Sequence, residues 1–431
     1  MTANEWKEQL LAGTYDKSLA YLYGEDSVAE ARQRYIRVID GYVETFGEPT
    51  ALRLFSAPGR TEIGGNHTDH NRGRTLAASV NVDVIAAVEA TDGDIAVQSE
   101  GYPIDRVSPW ELNPIEEEKG RSTALVRGLA ARFAHFGWEV GGFNAYTISS
   151  VPKGSGLSSS AAYEVLLATV LNVLYNDGGI SRVELAKASQ YAECVYFGKP
   201  CGLLDQTASS VGGVVSIDFA DPTNPIVTRP AVDFDAFGLS LCVVDAHADH
   251  ADLTHEYAAI PAEMKAVAEQ LGATYLRETN AEELLRHIDT VRATCGDRAV
   301  LRALHFFAED ARVPRQVQAL ESGDVAAFLA LIKESGHSSF EYLQNIYPSN
   351  DPSRQALSLA LCLAQRELGE TGAWRVHGGG FGGTILCFVP TERVSAFVER
   401  MESVFGAESC RVLRIRPVGG AELGGNHEMS V

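Results

Sequence analysis

The chain has 431 residues, more than one compact core usually holds, so two domains are expected. Apolar residues make up 45% and charged residues 22%, the balance of a globular protein, and 36 basic against 57 acidic side chains leave a formal charge of −21. That field disfavours nucleic acid and anionic membrane surfaces as partners, while a small anion in a local cleft stays open to it.

No apolar run approaches the length of a membrane span, and the opening residues, "MTANEWKEQLLAGTYDKSL", carry no signal-peptide core. Helical spacing of Ala, Tyr, Ile and Val predicts a helix over 27–46, with Ser27 as its N-cap. A strand is expected at 51–56. It runs into "APGRTEIGGNHTDHN" (57–71), where Arg60, Glu62, Asn66, His67, Asp69 and His70 crowd around Gly64 and Gly65. A plain surface loop needs far fewer hydrogen-bonding groups. Alternation around Val80, Val82 and Val84 gives one or two strands over 75–90. "FNAYTISSV" (143–151) is another strand, feeding a Gly/Ser loop and a helix from Ser160 to Tyr175. Ser181 and Glu184 form a capping box for a helix that ends near Gly198.

Strands follow at 212–219 and 239–246. The Pro- and Asp-rich segment between them, 220–238, is the expected junction, which divides the chain into 1–220 and 221–431. Helical patterns dominate 256–370, and "WRVHGGGFGGTILCFV" (374–389) gives strand, Gly-rich loop and strand. A helix (391–405) and a strand (410–416) complete the order. The echo of "EIGGNH" at 62 by "ELGGNH" at 422 is read as chance. Seven cysteines, scattered without a CxxC pair, read as reduced thiols in a cytoplasm.

The loop Gly154-Ser155-Gly156-Leu157-Ser158-Ser159-Ser160 has the make-up of a phosphate cradle. Its glycines let backbone approach a ligand closely. The helix behind it offers unpaired amide groups and partial positive charge. The serine hydroxyls are hard oxygen ligands of the kind Mg²⁺ takes. It is not a Walker loop, since Lys153 precedes the glycines, and a loop that merely caps a helix is the bland alternative. The second Gly-rich loop, 378–383, tips the balance toward two backbone walls around one anion.

In this order, "APGRTEIGGNHTDHN", "VPKGSGLSSSAA" and "VHGGGFGG" resemble the three motifs of the GHMP kinases, and within them the galactokinases. "FGKPCGLLDQTASSVGG" (197–213) and "RALHFFAEDARV" (302–313) add to the likeness, which spans roughly 30–418. The resemblance implies an α+β fold of two domains with the active site in the cleft between them. It implies transfer of the γ-phosphoryl of ATP, with Mg²⁺, to the anomeric hydroxyl of a sugar, galactose first. By that resemblance Asp205 is the catalytic carboxylate and Arg60 its cationic neighbour. Residues 154–160 bind ATP, Ser160 and Glu193 hold Mg²⁺, and Asn66, His67, Asp69, Gly202 and Tyr257 contact the sugar. A sugar and ATP are then the expected partners, in a protein for which a monomer is favoured.

The residues' own chemistry agrees with these roles. A hydroxyl attacking phosphorus needs a carboxylate to orient it or take its proton, and a fixed Arg offsets the spreading negative charge. Read alone, Asp205 is first an N-cap of "QTASSVG" and Arg60 a surface ion pair. Glu193, on a stripe with Leu185, Ser189 and Tyr196, is either paired or functional.

The signature departs from the galactokinase pattern in three places. Asn66 and His70 stand where Glu and Tyr are usual, Glu62 and Ile63 where Asn and Leu are usual, and Val376-His377 where Met-Thr is usual. The family Glu accepts a hydrogen bond from the sugar's C6 hydroxyl. Asn66 either keeps that contact with a weaker bond or, lacking the charge, admits another sugar: galacturonate above all, or N-acetylgalactosamine or arabinose. A non-catalytic sugar sensor is the other alternative. "HTDH" (67–70) and "HADHADLTH" (247–255) also suggest a zinc site, against which stands the lack of HExxH.

Overall fold

The computed structural model describes residues 1–152, 154–232, 234–247, 253–381 and 383–425, with Asp235 as backbone only. Helices α1 (Ala3–Leu11), α2 (Asp16–Tyr23) and α3 (Val28–Phe46) come first. α3 buries Tyr35, Val38, Ile39 and Tyr42 along one stripe, as its spacing requires. Ser27 does not cap it. The chain enters α3 from a 3₁₀ turn at Glu25–Ser27, so Ser27 is already wound and its side chain makes no capping bond.

Seven strands follow: β1 (Arg53–Gly64), β2 (Arg74–Thr91), β3 (Ile95–Ser99), β4 (Ile104–Val107), β5 (Gly142–Ser149), β6 (Val214–Asp218) and β7 (Ile226–Thr228). Then come β8 (Leu239–Asp245), β9 (Ala373–Val376), β10 (Thr384–Pro390), β11 (Cys410–Leu413) and β12 (Ala421–Glu422). The first sheet runs β12-β1-β2-β5-β3-β4, with β6 on the other stretch of β2 and β7 beyond it; the second runs β11-β8-β10-β9. β2 is a single long strand that serves β6 with Arg74–Ala78 and β5 with Val84–Thr91, which is why its sequence reads as one run or two. β1 extends well past residue 56 and holds half of the crowded segment inside a sheet.

The helices α4 (Ser122–His135), α5 (Ser159–Tyr175), α6 (Arg182–Tyr191) and α7 (Leu204–Val211) lie between β4 and β6 in the chain. Alternate residues of the first sheet divide its faces: Phe55, Ala86 and Val88 pack with Val165, Leu166 and Val170 of α5, while Leu54, Ile85 and Ala87 pack under α1–α3. Ser181 caps α6 through the Glu184 amide at 3.3 Å, but Glu184 turns to Lys187 at 2.8 Å instead of closing the box. α6 then widens into a π-helical turn, Ala192–Phe197, ending at Gly198.

The second sheet is covered by α12 (Val325–Ser338) on one face and by α13 (Ala356–Leu368) and α14 (Val394–Phe405) on the other. Between the sheets in the chain, α8 (Thr254–Gln270), α9 (Ala281–Arg286), α10 (Ile288–Cys295) and α11 (Asp297–Glu321) form a helical cluster around Phe306 and Met264. Segment 221–431 does not stay with the second sheet. β7 pairs with β6, and β12 covers the outer edge of β1, where Glu422 takes Arg53 in two bonds of 2.6 Å. All seven cysteines are free, and among the described residues no helix is long and apolar enough to cross a membrane.

Candidate active site

Arg60 leaves β1 and meets Asp205 in the first turn of α7, Nε to Oδ1 at 2.5 Å and Nη2 to Oδ2 at 2.6 Å. Its remaining nitrogen, Nη1, donates to the Gly156 carbonyl. Ser158 Oγ donates to Asp205 Oδ2 at 2.7 Å. Burial pushes the Asp205 carboxyl up, but the Arg60 charge and the Arg60 and Ser158 hydrogen bonds hold it below the usual carboxylate range. Asp205 does not cap α7, and with the Arg60 side chain only 11% exposed the pair is no loose surface bridge.

The Gly/Ser loop is tightly wound. Gly154 (φ 74°), Gly156 (φ 71°) and Ser158 (φ 58°) are all left-handed. Nothing within 4 Å would meet a side chain at Gly154, whereas a Cβ on Gly156 would lie 2.9 Å from His377 Nδ1 and 3.1 Å from Thr384 Oγ1. Ser158 makes no side-chain cap for α5, since its hydroxyl is given to Asp205. The first amides of α5 therefore stay available, and the hydroxyls of Ser159 and Ser160 bond to no other described residue. Ser155 Oγ closes the loop on Pro152 O at 2.8 Å, and Leu157 O accepts the Arg60 amide at 3.0 Å. Lys153 lies outside the described residues.

His377 is buried where the third motif meets this loop. Thr61 Oγ1 lies 3.1 Å from its Nε2 and Thr384 Oγ1 lies 2.9 Å from its Nδ1. The Glu62 amide donates to Nε2 at 3.4 Å, which puts the ring proton on Nδ1. Burial and then the charges of Arg60 and Arg375 push its pKa down to about 3. Thr384 passes the chain on to Ser155 O at 3.3 Å.

At the other end, Asp69 faces Gly202 so closely that a Cβ there would lie 2.3 Å from Asp69 Oδ2. Asp69 Oδ1 accepts the His70 amide at 2.9 Å. His67 (φ 58°) donates from Nε2 to Gly379 O at 3.1 Å, and burial followed by the His70 charge pushes its pKa down to about 4. Tyr257 donates to Gly380 O at 2.8 Å and lays its ring along Gly379, where a Cβ would come within 2.6 Å of Cε1. The signature loop thus meets Gly202 through Asp69 and the Gly378–Phe381 turn through His67, and Tyr257 packs on that same turn.

Asn66 sits differently from its neighbours. It is fully buried, and its amide is saturated by protein: Nδ2 donates to Glu62 Oε1 (2.9 Å) and Gly378 O (2.7 Å), while Oδ1 accepts from Asn345 (3.0 Å) and Ser339 (3.3 Å). His305 takes its carbonyl at 3.0 Å, and Glu309 takes the Gly65 and Asn66 amides at 2.9 and 3.3 Å.

A family model described as the galactokinase galactose-binding signature matches residues 40–90, and one described as the GHMP kinases N terminal domain matches 124–213. The galactokinase of Streptomyces coelicolor (strain ATCC BAA-471 / A3(2) / M145) is 34% identical over 367 residues, covering 84% of this chain and 91% of its own length. The chain belongs to the galactokinase family. That of Actinobacillus pleuropneumoniae is 30% identical over 355 residues, covering 82% and 89%. Among solved structures, Lactococcus lactis galactokinase complexed with galactose superposes with a TM-score of 0.75 at 23% identity, covering 89% of this chain and 98% of its own. The mevalonate kinase of Methanococcus jannaschii gives 0.59 at 14%, covering 85% and 98%. The fold is the α+β GHMP kinase fold.

For a galactokinase family member, the acidic corner behind α5 holds more than the motifs suggest. Glu193, carried by the π-helical turn, accepts from Lys199 at 2.9 Å and from Gln206 at 2.8 Å; it has no bond to Ser160. Gln206 also donates to Glu164 at 3.1 Å. Glu164, fully buried one helical turn after Ser160, is held well above the ordinary carboxyl range by burial and then by the Glu193 charge. Among the described residues, nothing bonds to the buried acceptors Glu164 Oε1 and Gln206 Oε1. The sequence signals were an acid in an otherwise apolar helix and an amide directly after Asp205. No group of three or more His, Cys, Asp or Glu among the described residues is placed to hold a metal ion, and 248–252 of the "HADHADLTH" stretch lie outside them.

Proposed function

We propose that the chain is an ATP-dependent galactokinase, giving galactose 1-phosphate and ADP. The observation that carries this is the Arg60–Asp205 pair joined to the phosphate loop through Ser158 and Gly156. The triphosphate lies on the open amides of α5, and the sugar's anomeric oxygen faces Asp205. An ionised, low-pKa carboxylate is a weak base in the ground state. Asp205 therefore orients the hydroxyl and accepts its proton late, as a loose phosphoryl-transfer transition state allows. Arg60 balances the charge on Asp205 and on the transferring group.

Mg²⁺ fits the acidic corner. Its donors would be the free Ser160 hydroxyl and the Glu193 carboxylate, an all-oxygen set with the open acceptors of Glu164 and Gln206 behind it. When bound, the ion neutralises phosphate charge. Lys199, on Glu193, supplies positive charge to the same corner. The protein is read as cytoplasmic, where free cysteines stay reduced.

The test is ADP release, followed in a coupled assay, over a panel of hexoses, uronic acids and amino sugars. Galactose should be the best acceptor. No turnover with any sugar would leave only the non-catalytic sensor.

A further inference from the structure

We propose that Glu62 is the residue that selects the exocyclic end of the sugar: its Oε2 accepts a hydrogen bond from a neutral hydroxymethyl group and repels sugars that carry a carboxylate there. This rests on the sugar-kinase reading and names the specificity element of that same site.

The placement comes from β1. Its pairing with β2 is unbroken from Arg60 to Glu62, opposite Ser79 to Ala77, so the two side chains leave the same face of the strand. Arg60 reaches Asp205 from that face. Two residues along a strand is about 6.6 Å, the span of one pyranose ring. With the anomeric oxygen at Asp205, Glu62 stands by the far end of the sugar.

The carboxylate is anchored by one oxygen only. Oε1 accepts from Arg375 Nη2 at 2.8 Å and from Asn66 Nδ2 at 2.9 Å, and both donors are fully buried. Among the described residues nothing bonds to Oε2, although Glu62 as a whole is only 9% exposed. Oε2 is not among the buried unpartnered atoms, so it faces the open side of the residue, where a ligand hydroxyl is a donor of the right kind. Burial pushes the Glu62 carboxyl up and the Arg375 charge pulls against it; Arg375 is itself committed, to Ile63 O at 2.7 Å and Val376 O at 3.0 Å, so it cannot turn to a sugar acid.

Asn66 cannot perform this task, since every hydrogen-bonding position of its amide is taken. The usual signature has the amide at position 62 and the carboxylate at 66; here they are exchanged, and the two side chains touch. The carboxyl missing at 66 is present at 62. A sugar carboxylate at this end would face the Glu62 carboxyl, which disfavours galacturonate.

The experiment measures kcat and KM of the wild type, Glu62→Gln and Glu62→Asp with galactose, its 6-deoxy analogue and galacturonate. The wild type should prefer galactose to both analogues by at least tenfold in kcat/KM. Glu62→Gln should raise KM for galactose about tenfold with kcat within threefold, narrow the gap to galacturonate by at least tenfold, and leave the 6-deoxy sugar nearly unaffected. Glu62→Asp should keep the discrimination against galacturonate. Unchanged selectivity in Glu62→Gln overturns the assignment while leaving the kinase standing; no turnover of any sugar by the wild type overturns both. If Glu62→Gln does not fold, the wild type still decides, because equal kcat/KM for galactose and its 6-deoxy analogue refutes the role.

Discussion

Arg60 and Asp205 lie 145 positions apart in the chain and meet in a paired, planar contact of 2.5 and 2.6 Å. The strand that begins the signature and the helix that follows the Pro-Cys-Gly turn are thereby fixed against one another. Ser158 ties the phosphate loop to the same carboxylate, so one group joins the signature strand, the loop and α7.

Asp205→Asn should lower kcat by roughly 10²–10⁴-fold, the usual worth of a positioned acid–base group. Nucleotide affinity by calorimetry should stay within about threefold, because the amide keeps an oxygen for Ser158 to donate to and the rest of 154–160 is unchanged. A variant with more than a tenth of the parent turnover would show that another carboxylate acts.

Two glycines separate the subsites. In Gly202→Ala the new methyl would sit 2.3 Å from Asp69 Oδ2, so KM for the sugar should rise at least tenfold and KM for ATP should hold. In Gly156→Ala the methyl meets His377 at 2.9 Å on a backbone of φ 71°, a strain of about 1–2 kcal/mol before any clash. Here KM for ATP should rise instead. The reverse pattern would exchange the two ends of the cleft.

Asn66→Ala is expected to act on stability. It leaves Asn345 and Ser339 without their shared acceptor and Gly378 O without its donor. At about 1–3 kcal/mol for each buried group stranded, a loss of roughly 3 kcal/mol or more follows. A denaturant melt that coincides with the parent's would contradict this.

Stability should fall steadily with acid. His377 and His67 have folded pKa values of about 3 and about 4, below the unfolded value near 6.5. The unfolded chain therefore takes up more protons as pH drops through 6.5, and folding weakens. Glu309 adds a second phase. Burial pushes it up, yet Arg312 above all pulls it to about 2, so its contribution is complete above about pH 4.3 and is lost toward pH 2. Melting temperature measured from pH 8 to pH 4 should decline below about pH 6.5, and a flat profile would rule out neutral buried histidines.

Gln206→Leu removes the amide shared by Glu193 and Glu164. The Mg²⁺ concentration for half-maximal rate should rise several-fold, with KM for the sugar unchanged. An unaltered Mg²⁺ response would place the cation elsewhere.

Much of this site could be read from the chain because its parts are contiguous. The Gly/Ser loop, the signature and the Pro-Cys-Gly turn each carry their chemistry within a dozen residues. The inward turn of Asn66 could not be read, because the register shift after Glu62 and partners as distant as Asn345 and Gly378 decide it. Glu164 was hidden by its own apolar helix. Ser27 failed as a cap because a 3₁₀ turn precedes it, a choice made by Gly24 and its φ of 92°. β7 and β12 escaped because strands of two or three residues have no periodicity; only the unpaired edges they cover explain them.

The β12–β1 pairing also sets a schedule for making the protein. β1 carries Arg60, yet its outer neighbour is supplied by residues 421–422, with Arg53 and Glu422 separated by 369 positions. A ribosome must polymerise all the residues between them before that margin is sealed, so the nascent chain spends that time with an unguarded template for aggregation. Messages truncated ahead of codon 421 should yield insoluble, inactive product even though every catalytic side chain has been encoded.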